Sequence, residues 1–321
     1  MLQNKYTPKT LVQYFRGGFV NNQSLNYLIE QEHYGFVVGT KFKVGEPYDY
    51  PFYLRSCAKP LQASLIIDYN LDFTEEETAI CCASHAGEPC HVELAKKLLN
   101  KIGIDKSKLK CGFHKPISRS EQDKLLLSNQ KESIFHNNCV GKHIMMLALC
   151  KKNNWDIETY DEMNHPLQQE IKRKIYELCE IGNRNYPITK DGCGVPIHSM
   201  PLENILKGYI NLFTDEKYVK IANAYRNYPY IIGGESRTDT KIMQNSDNLI
   251  AKVGAGGLCV VINLEKKEGF VVKILDCDMK AREITILSIL KRLKWADIDF
   301  DDDIKTLHDE IVGKIKFVGF E

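Results

Sequence analysis

Ser56 and Lys59 lie one helical turn apart in the segment "YLRSCAKPLQASLI", residues 53–66. A lysine can take the proton of a serine hydroxyl if burial or a second cation lowers its pKa from about 10.4 towards neutrality. The same S-x-x-K spacing also starts at Ser107, Ser128 and Ser288, so the spacing alone carries little weight in this lysine-rich chain.

Only the pair Ser56 and Lys59 is followed by a proline, Pro60, and a mainly apolar helical pattern. Proline lacks an N–H group and belongs in the first turn of a helix, so the regular helix should begin near residues 57–59. Ser56 would then lie on the entering turn, beside unpaired N–H groups that favour developing negative charge. We predict that Ser56 is a nucleophile and that Lys59 is its base.

A second serine and lysine lie far along the chain from this pair. Lys252 occurs in "NLIAKVGAGG" (248–257), and lysine is seldom found in an otherwise apolar strand without a partner. Penicillin-binding enzymes combine S-x-x-K with a second serine and with K-T-G on a strand. The better second serine is Ser84 in "CCASHAGE" (81–88), because the literal S-D-N at 246–248 is too close to Lys252. Ser84 could also belong to a plain helix-ending turn.

Two cysteines lie in polar, glycine-containing segments instead of on apolar faces. Cys139 is in "HNNCVGKHIMML" and Cys193 is in "KDGCGVPIHSMPL". Two thiolates can bind a metal such as zinc, with Lys142, His143, Asp191 or a water completing the site. Buried thiols and a reversible disulfide are the alternatives at this stage.

The chain must fold so that these distant segments meet. Apolar residues three and four apart predict helices in the middle, and short β-branched and aromatic runs predict strands at both ends. The predicted strands are 10–18, 24–31, 34–42, 248–254, 258–265 and 270–278. The predicted helices are 60–70, 75–84, 91–103, 141–154, 165–179 and 279–293.

This order predicts an α/β (α+β) fold in which both chain ends build one antiparallel sheet. Residues 1–55 and 233–321 would form the sheet region, and residues 56–232 a mainly helical region. We expect residues 1–321 to be a single catalytic unit, because no linker rich in proline and glycine divides the chain.

The composition excludes several partners. The 321 residues carry a net charge of about +1 with both signs interspersed, so we expect no nucleic acid and no anionic membrane as partner. The first 18 residues lack the apolar core of a signal peptide, and no run is apolar enough for a membrane span. We therefore expect a cytoplasmic protein whose eleven cysteines, including Cys81 and Cys82 in the core, stay reduced.

Seven short motifs between residues 55 and 257 together resemble the bacterial asparaginase II family, also called rhizobial-type or class 3 L-asparaginases. They are "RSCAKPLQA", "CASH", "KCGFH", "NNCVGKH", "DGCGVP", "GGESRTD" and "AKVGA", in this order. The resemblance implies a fold related to serine β-lactamases and serine glutaminases, a homodimer, and hydrolysis of L-asparagine to L-aspartate and ammonia. The asparaginase II family is unrelated to the threonine-dependent bacterial asparaginases.

The resemblance also implies roles for individual residues. Ser56 and Lys59 match the nucleophile and its base, and Ser84 and Lys252 match a second serine–lysine couple. Cys139, Lys142 and Cys193 match the zinc ligands of the family, and Arg55, His143 and Asp191 match other polar residues around that site. We expect these three residues and His85 to bind the substrate.

Two other classes of function fit the same residues. One is a β-lactamase-like or penicillin-binding hydrolase that acts on another amide, for which the misplaced S-D-N is unfavourable. The other is a non-enzymatic metal or redox sensor that uses Cys139 and Cys193.

Overall fold

The computed structural model describes residues 6–17, 19–20, 23–24 and 28–320. The strands are β1 (Lys9–Arg16), β2 (Phe19–Val20), β3 (Gln23–Ser24), β4 (Leu28–Gly39), β5 (Lys43–Val44), β6 (Phe52–Tyr53), β7 (Ile188–Lys190), β8 (Pro196–Met200), β9 (Leu249–Val253), β10 (Leu258–Asn263), β11 (Glu268–Ile274), β12 (Asp303–Lys305) and β13 (Ile311–Phe317). The helices are α1 (Lys59–Asp68), α2 (Glu75–Cys82), α3 (Pro89–Ile102), α4 (Arg119–Leu127), α5 (Val140–Asn153), α6 (Pro166–Leu178), α7 (Leu202–Thr214), α8 (Val219–Asn227), α9 (Pro229–Ile232), α10 (Thr238–Gln244) and α11 (Met279–Arg292). Among these helices, none has the length and apolar character that a membrane crossing requires.

The largest sheet is antiparallel and has the strand order β12-β13-β1-β4-β11-β10-β9, with β5 added beside β4. Strands from both ends of the chain therefore pair directly, as the sequence predicts. Every residue of β9 and β10 is buried. Because alternate side chains of a strand point to opposite faces, both faces of the sheet are covered here. Helices α7 and α11 both pack against β11 and provide much of this cover.

Several predicted elements differ from the structure. Two separate strands are predicted at 24–31 and 34–42, but the structure has one twelve-residue strand, β4, over residues 28–39. Residues 25–27 of the first prediction lie outside the described part of the chain. The predicted helical region contains the strands β7 and β8, which pair with β6 in a small sheet. Conversely, α10 lies inside the predicted sheet region. Strands of three to five residues are too short to show a periodic pattern.

The predicted helices of the middle region are all present, as α1, α2, α3, α5 and α6. Local sequence signals mark their ends. Thr74 and Glu77 form a capping box at the start of α2, and Gly103 ends α3 with a φ of +64°. Helix α2 lies at the centre of this layer, in contact with α1, α5 and α8.

The approach of α2 to α5 depends on Gly141, in the first turn of α5. A Cβ atom at this position would lie 2.0 Å from the carbonyl oxygen of Ile80 in α2. Such a distance is far below contact, so only glycine allows the two backbones to come this close. Ser84 follows α2, and Asn138 and Cys139 precede α5. The contact at Gly141 therefore brings two of the motif segments together.

We expect Gly141→Ala to lower the free energy of unfolding by about 2 kcal/mol or more, because the added methyl group must push backbone against backbone. Chemical denaturation measures this change. Gly192→Ala is the matched control, since a Cβ there meets nothing within 4 Å and the change should cost little. Equal stability of the two variants would show that α2 and α5 can separate without cost.

Candidate active site

A cavity of about 270 Å³ lies where the helical layer meets the end of the large sheet. Ser56, Ser84 and Asn138 contribute to its wall from the helical layer, and residues 253–257 contribute from the end of β9 and the turn after it. We call this the serine cavity. It is large enough for a ligand the size of an amino acid, and it contains both serines that the sequence singles out.

Ser56 lies on a 3-10 turn, Arg55–Ala58, immediately before α1, with Pro60 in the first turn of that helix. This confirms the helix start that the sequence predicts. Arg55 has a φ of +48°, which costs a non-glycine residue about 1–2 kcal/mol. Strain of this kind collects at functional sites, where the surroundings hold it in place. The Ser56 hydroxyl makes no hydrogen bond to any described residue, so it is free to face a ligand.

Lys59 is only 1% exposed, and its amine lies among three oxygen atoms. The Nζ atom is 2.5 Å from the carbonyl oxygen of Ala83, 2.8 Å from that of Asn138 and 3.1 Å from the Ser84 hydroxyl. Burial lowers the pKa of Lys59 to about 8, and repulsion from Lys142 and Lys252 acts in the same direction. The neutral fraction of this amine near physiological pH is therefore far larger than that of an exposed lysine, although the protonated form still predominates.

Ser84 follows the last turn of α2, and its backbone N–H donates to the carbonyl of Ile232 over 2.9 Å. The side chain is almost completely buried, yet it reaches the serine cavity. In this structure Lys59 thus contacts Ser84, which is 25 residues away, while Ser56 has no hydrogen bond to Lys59. The two serines and the lysine do converge, but the direct contact is between Lys59 and Ser84.

Lys252 is fully buried in β9, as the sequence predicts. Its amine donates to the carbonyl oxygen of Val253 over 2.9 Å and lies 3.4 Å from Asp239 Oδ2. Asp239 also accepts the Val253 N–H over 3.2 Å. Burial raises the pKa of Asp239, but the attraction of Lys252 and nearby arginines outweighs it and the net shift is downward. Among the described residues, no hydrogen bond joins Lys252 to Ser84.

Cys139, Lys142 and Cys193 also converge, and we call them the thiol cluster. Lys142 Nζ lies 3.2 Å from Cys193 Sγ, and the Cys139 thiol, which neighbours Cys193, donates to Asn138 Oδ1 over 3.3 Å. The neighbouring Cys139 thiol and the positive charge of Lys142 lower the pKa of the Cys193 thiol to about 5, despite its burial. Cys193 is therefore held as a thiolate, which is the form that binds metals.

The thiol cluster fits a zinc ion. Two sulfur atoms and one nitrogen are a donor set that zinc accepts, and the separation of Lys142 Nζ and Cys193 Sγ is close to that of two ligands on one tetrahedral ion. All eleven cysteines of the chain are free, and only Cys90 and Cys277 are exposed. Cys81 and Cys82 belong to the core, as predicted.

A second group with metal-binding atoms is formed by Glu88, Cys90 and His91, whose donor atoms lie within 4.8 Å of one another. However, both nitrogens of His91 already have partners. Nδ1 accepts the N–H of Glu88 over 3.2 Å, and Nε2 lies 3.0 Å from the carbonyl oxygen of Tyr230. These contacts are those of a side chain that fixes the start of α3.

The four expected substrate-binding residues do not line the serine cavity. Arg55 pairs with Asp191 over 3.0 Å and thereby joins the Ser56 turn to the Cys193 loop. His85 is buried next to Ser84, where its Nδ1 accepts the N–H of Gly87 over 3.2 Å. His143 is buried behind the thiol cluster, with Nδ1 2.7 Å from the hydroxyl of Tyr160. Burial and the charge of Lys142 lower the pKa of His143 to about 3, so it is neutral.

Four residues of this region were not identified from the sequence. Arg237 and Arg282 line the serine cavity together with Asn138, and Asp239 lies behind it as the partner of Lys252. The motif "GGESRTD" contains both Arg237 and Asp239, so that motif could have pointed to them. Arg282 lies in an amphipathic helix and gives no such signal.

Comparison with known proteins identifies one family. The profile of the family described as L-asparaginase II matches residues 12–318, nearly the whole chain. A search of curated protein sequences with this chain found no match.

The burial of the Lys59 amine should make the free energy of unfolding depend on pH. Its pKa of about 8 in the folded chain lies below the 10.5 of an exposed lysine, so the unfolded chain binds more protons between these values. Folding of the wild type should therefore gain roughly 2–3 kcal/mol between pH 7 and pH 10 relative to Lys59→Met. Urea denaturation at several pH values measures this difference.

Lys97→Met, at an exposed position of α3, is the matched control for this experiment. Its stability should run parallel to that of the wild type over the same pH range. A parallel course for Lys59→Met as well would mean that the Lys59 amine keeps an ordinary affinity for its proton.

Proposed function

This chain belongs to the L-asparaginase II family, and from that membership we propose that it hydrolyses L-asparagine to L-aspartate and ammonia through a serine-bound acyl intermediate. The family supports an amidohydrolase that acts on a linear amide. The observation that carries the finer proposal is the contact of the buried Lys59 amine with Ser84 in a cavity that Ser56 also lines.

The neighbours of Lys59 determine where its lone pair points. A neutral amine has two N–H groups and one lone pair. The carbonyl oxygens of Ala83 and Asn138 can only accept, so they take the two N–H groups. The lone pair is then directed at Ser84, the one hydrogen-bonded neighbour that has a proton to give. Lys59 is thus prepared to act as a general base towards this hydroxyl.

In the proposed first step, the Ser56 hydroxyl attacks the side-chain amide carbon of asparagine. Its proton passes to Ser84 while Ser84 gives its own proton to Lys59. Protonated Lys59 returns a proton by the same path to the departing ammonia, and water then cleaves the β-aspartyl ester. N–H groups at the start of α1 would stabilise the oxyanion, an effect of about 3–4 kcal/mol in well-studied hydrolases.

For Lys252 we propose an electrostatic role in the same site. The Lys252 side chain is paired with Asp239. Burial is the largest cause of the lowered pKa of Lys59, and the positive charge of Lys252 lowers it further. A cation near Lys59 favours the neutral base. We propose that Arg55 and Asp191 hold the Ser56 turn against the Cys193 loop, and that His85 and His143 support the segments that reach the substrate.

We further propose that Cys139, Lys142 and Cys193 hold a zinc ion, with a water as fourth ligand. Such an ion supplies a Lewis acid that orients the polar groups of the substrate. The amine of Lys142 would lose its proton on binding, since only the neutral form has a lone pair.

The mixed α/β fold with one curled antiparallel sheet is compatible with the relation to serine β-lactamases and glutaminases that the motifs imply, and we propose that relation here. The single catalytic unit, the homodimer and the cytoplasmic location stay predictions. So does the absence of a nucleic-acid or membrane partner.

The purified chain should release ammonia from asparagine, and the acyl group should be found on Ser56. Ser56→Ala should abolish turnover, whereas Ser84→Ala should lower kcat by about a hundredfold, the usual effect of losing one proton-transfer group. Acid quenching followed by cleavage after glutamate locates the acyl group by mass, because Glu75–Glu77 separate the two serines into different fragments.

Two outcomes would contradict this mechanism. An added mass on the fragment with Ser84 would make that residue the nucleophile, and an unchanged rate in Ser56→Ala would remove Ser56 from the chemistry. Turnover of a chromogenic β-lactam without ammonia release from asparagine would favour the penicillin-binding class instead.

We expect one zinc ion per chain and its loss in Cys193→Ser, because a hydroxyl is a poor replacement for a thiolate ligand. Elemental analysis after dialysis against zinc measures the stoichiometry. Cys90→Ser, at an exposed position outside the thiol cluster, should retain the ion. Retention by both variants would place the metal elsewhere.

A further inference from the structure

Arg282 is a buried cation whose hydrogen-bonding capacity is largely unused. It extends from α11 into the wall of the serine cavity and is only 6% exposed. Its Nη1 atom donates to the carbonyl oxygen of Gly254 over 3.0 Å, and its Nε atom is buried without a partner. A guanidinium group has five N–H donors in a fixed plane. A buried arginine with unsatisfied donors is costly unless an acceptor arrives with the ligand.

Arg237 lines the same cavity, just before α10. Its Nε atom is also buried without a hydrogen-bond partner. Both arginines line a second, more open space of about 750 Å³, which we call the outer cleft. They therefore lie at the boundary between the outer cleft and the serine cavity, where a substrate would pass.

The charge of the serine cavity is unbalanced. The residues that line it include these two arginines and no aspartate or glutamate. Asp239 lies nearby but is already engaged by Lys252 and by the N–H of Val253. One carboxylate cannot neutralise Lys252, Arg237 and Arg282 together. The outer cleft is also lined by Glu235, Asp278 and Glu283, but among the described residues none of these carboxylates forms an ion pair with either arginine. The wall of the serine cavity therefore carries positive charge that an anion can balance.

We propose that Arg237 and Arg282 form the subsite for the α-carboxylate of the amino-acid substrate and product. This inference rests on the proposed function, because asparagine is the ligand that it orients. Planar guanidinium groups match the two oxygens of a carboxylate. With the α-carboxylate fixed at this boundary, the side-chain amide points into the cavity towards the two serines. Arg55 is less suited to this task, because its side chain pairs with Asp191 outside the cavity.

The test compares two substrates that differ only in the α-carboxylate. L-asparagine has this group, and 3-aminopropanamide lacks it while keeping the amine and the amide. In Arg282→Met and Arg237→Met, kcat/KM for asparagine should fall about 30-fold or more, while kcat/KM for 3-aminopropanamide should stay near the wild-type value. The ratio of the two constants is the readout. An unchanged ratio, or an equal fall for both substrates, overturns the proposal.

Arg119→Met is the matched control. Arg119 lies on the outer cleft but not on the serine cavity, and its side chain is 87% exposed beside Asp123. This variant should keep the wild-type ratio. Arg282→Met also removes the bond to Gly254, so thermal melting is recorded for every variant. If that variant is unfolded, the half-buried Arg237 carries the test.

A binding measurement separates this proposal from the proposed function. Calorimetry compares L-aspartate with β-alanine, which is the same molecule without the α-carboxylate. The wild type should prefer L-aspartate, and the two arginine variants should lose that preference, even if the wild type releases no ammonia. Hydrolysis of asparagine together with arginine variants that still prefer L-aspartate would overturn the subsite while leaving the hydrolase intact.

Discussion

Three lysine amines lie buried where the large sheet meets the helical layer, and the arrangement of the site depends on how each is compensated. Lys59 has backbone carbonyls, Lys142 has the Cys193 sulfur, and Lys252 has a carboxylate. Removing a charge from water costs several kcal/mol per ion, so each amine requires its partners close by. The amine with only neutral oxygen neighbours, Lys59, is also the one whose pKa falls to about 8. The three amines therefore differ in the charge and chemistry of their partners, and the roles proposed for them rest on this difference.

These partners come from elements that the fold brings together at their ends. Ala83 follows α2, Asn138 precedes α5, and Lys252 lies near the end of β9. Because helices and strands are rigid, their ends hold side chains more precisely than a long loop could. The absence of a Cβ at Gly141 sets the distance between α2 and α5, and with it the two carbonyl acceptors of Lys59. The surroundings of the Lys59 amine and the packing of the two helices thus depend on the same contact.

The sequence predicts what depends on neighbouring residues and misses what depends on distant ones. Pro60 fixes the start of α1, and the apolar run around Lys252 predicts a buried strand; both are confirmed. The contact of Lys59 with Ser84 could not be read from their spacing, because it depends on the packing of α1 against α2. Arg282 has the pattern of an ordinary amphipathic helix residue, so only the structure shows it in the wall of the cavity. The short strands β7 and β8 escaped prediction for the same reason, since their pairing with β6 is what stabilises them.

The pairing of β1 with β13 has a consequence for how the protein is made. Val12 of β1 lies opposite Phe317 of β13. This edge of β1 therefore stays unpaired during synthesis until β13 has been made. The residues of the helical layer leave the ribosome before those of β13 do. Contacts between residues so far apart in the sequence also form slowly. During synthesis the unfilled edge of β1 offers free backbone groups to other chains. A nascent chain of this kind depends on prompt completion, and premature termination would leave a product that is prone to aggregate.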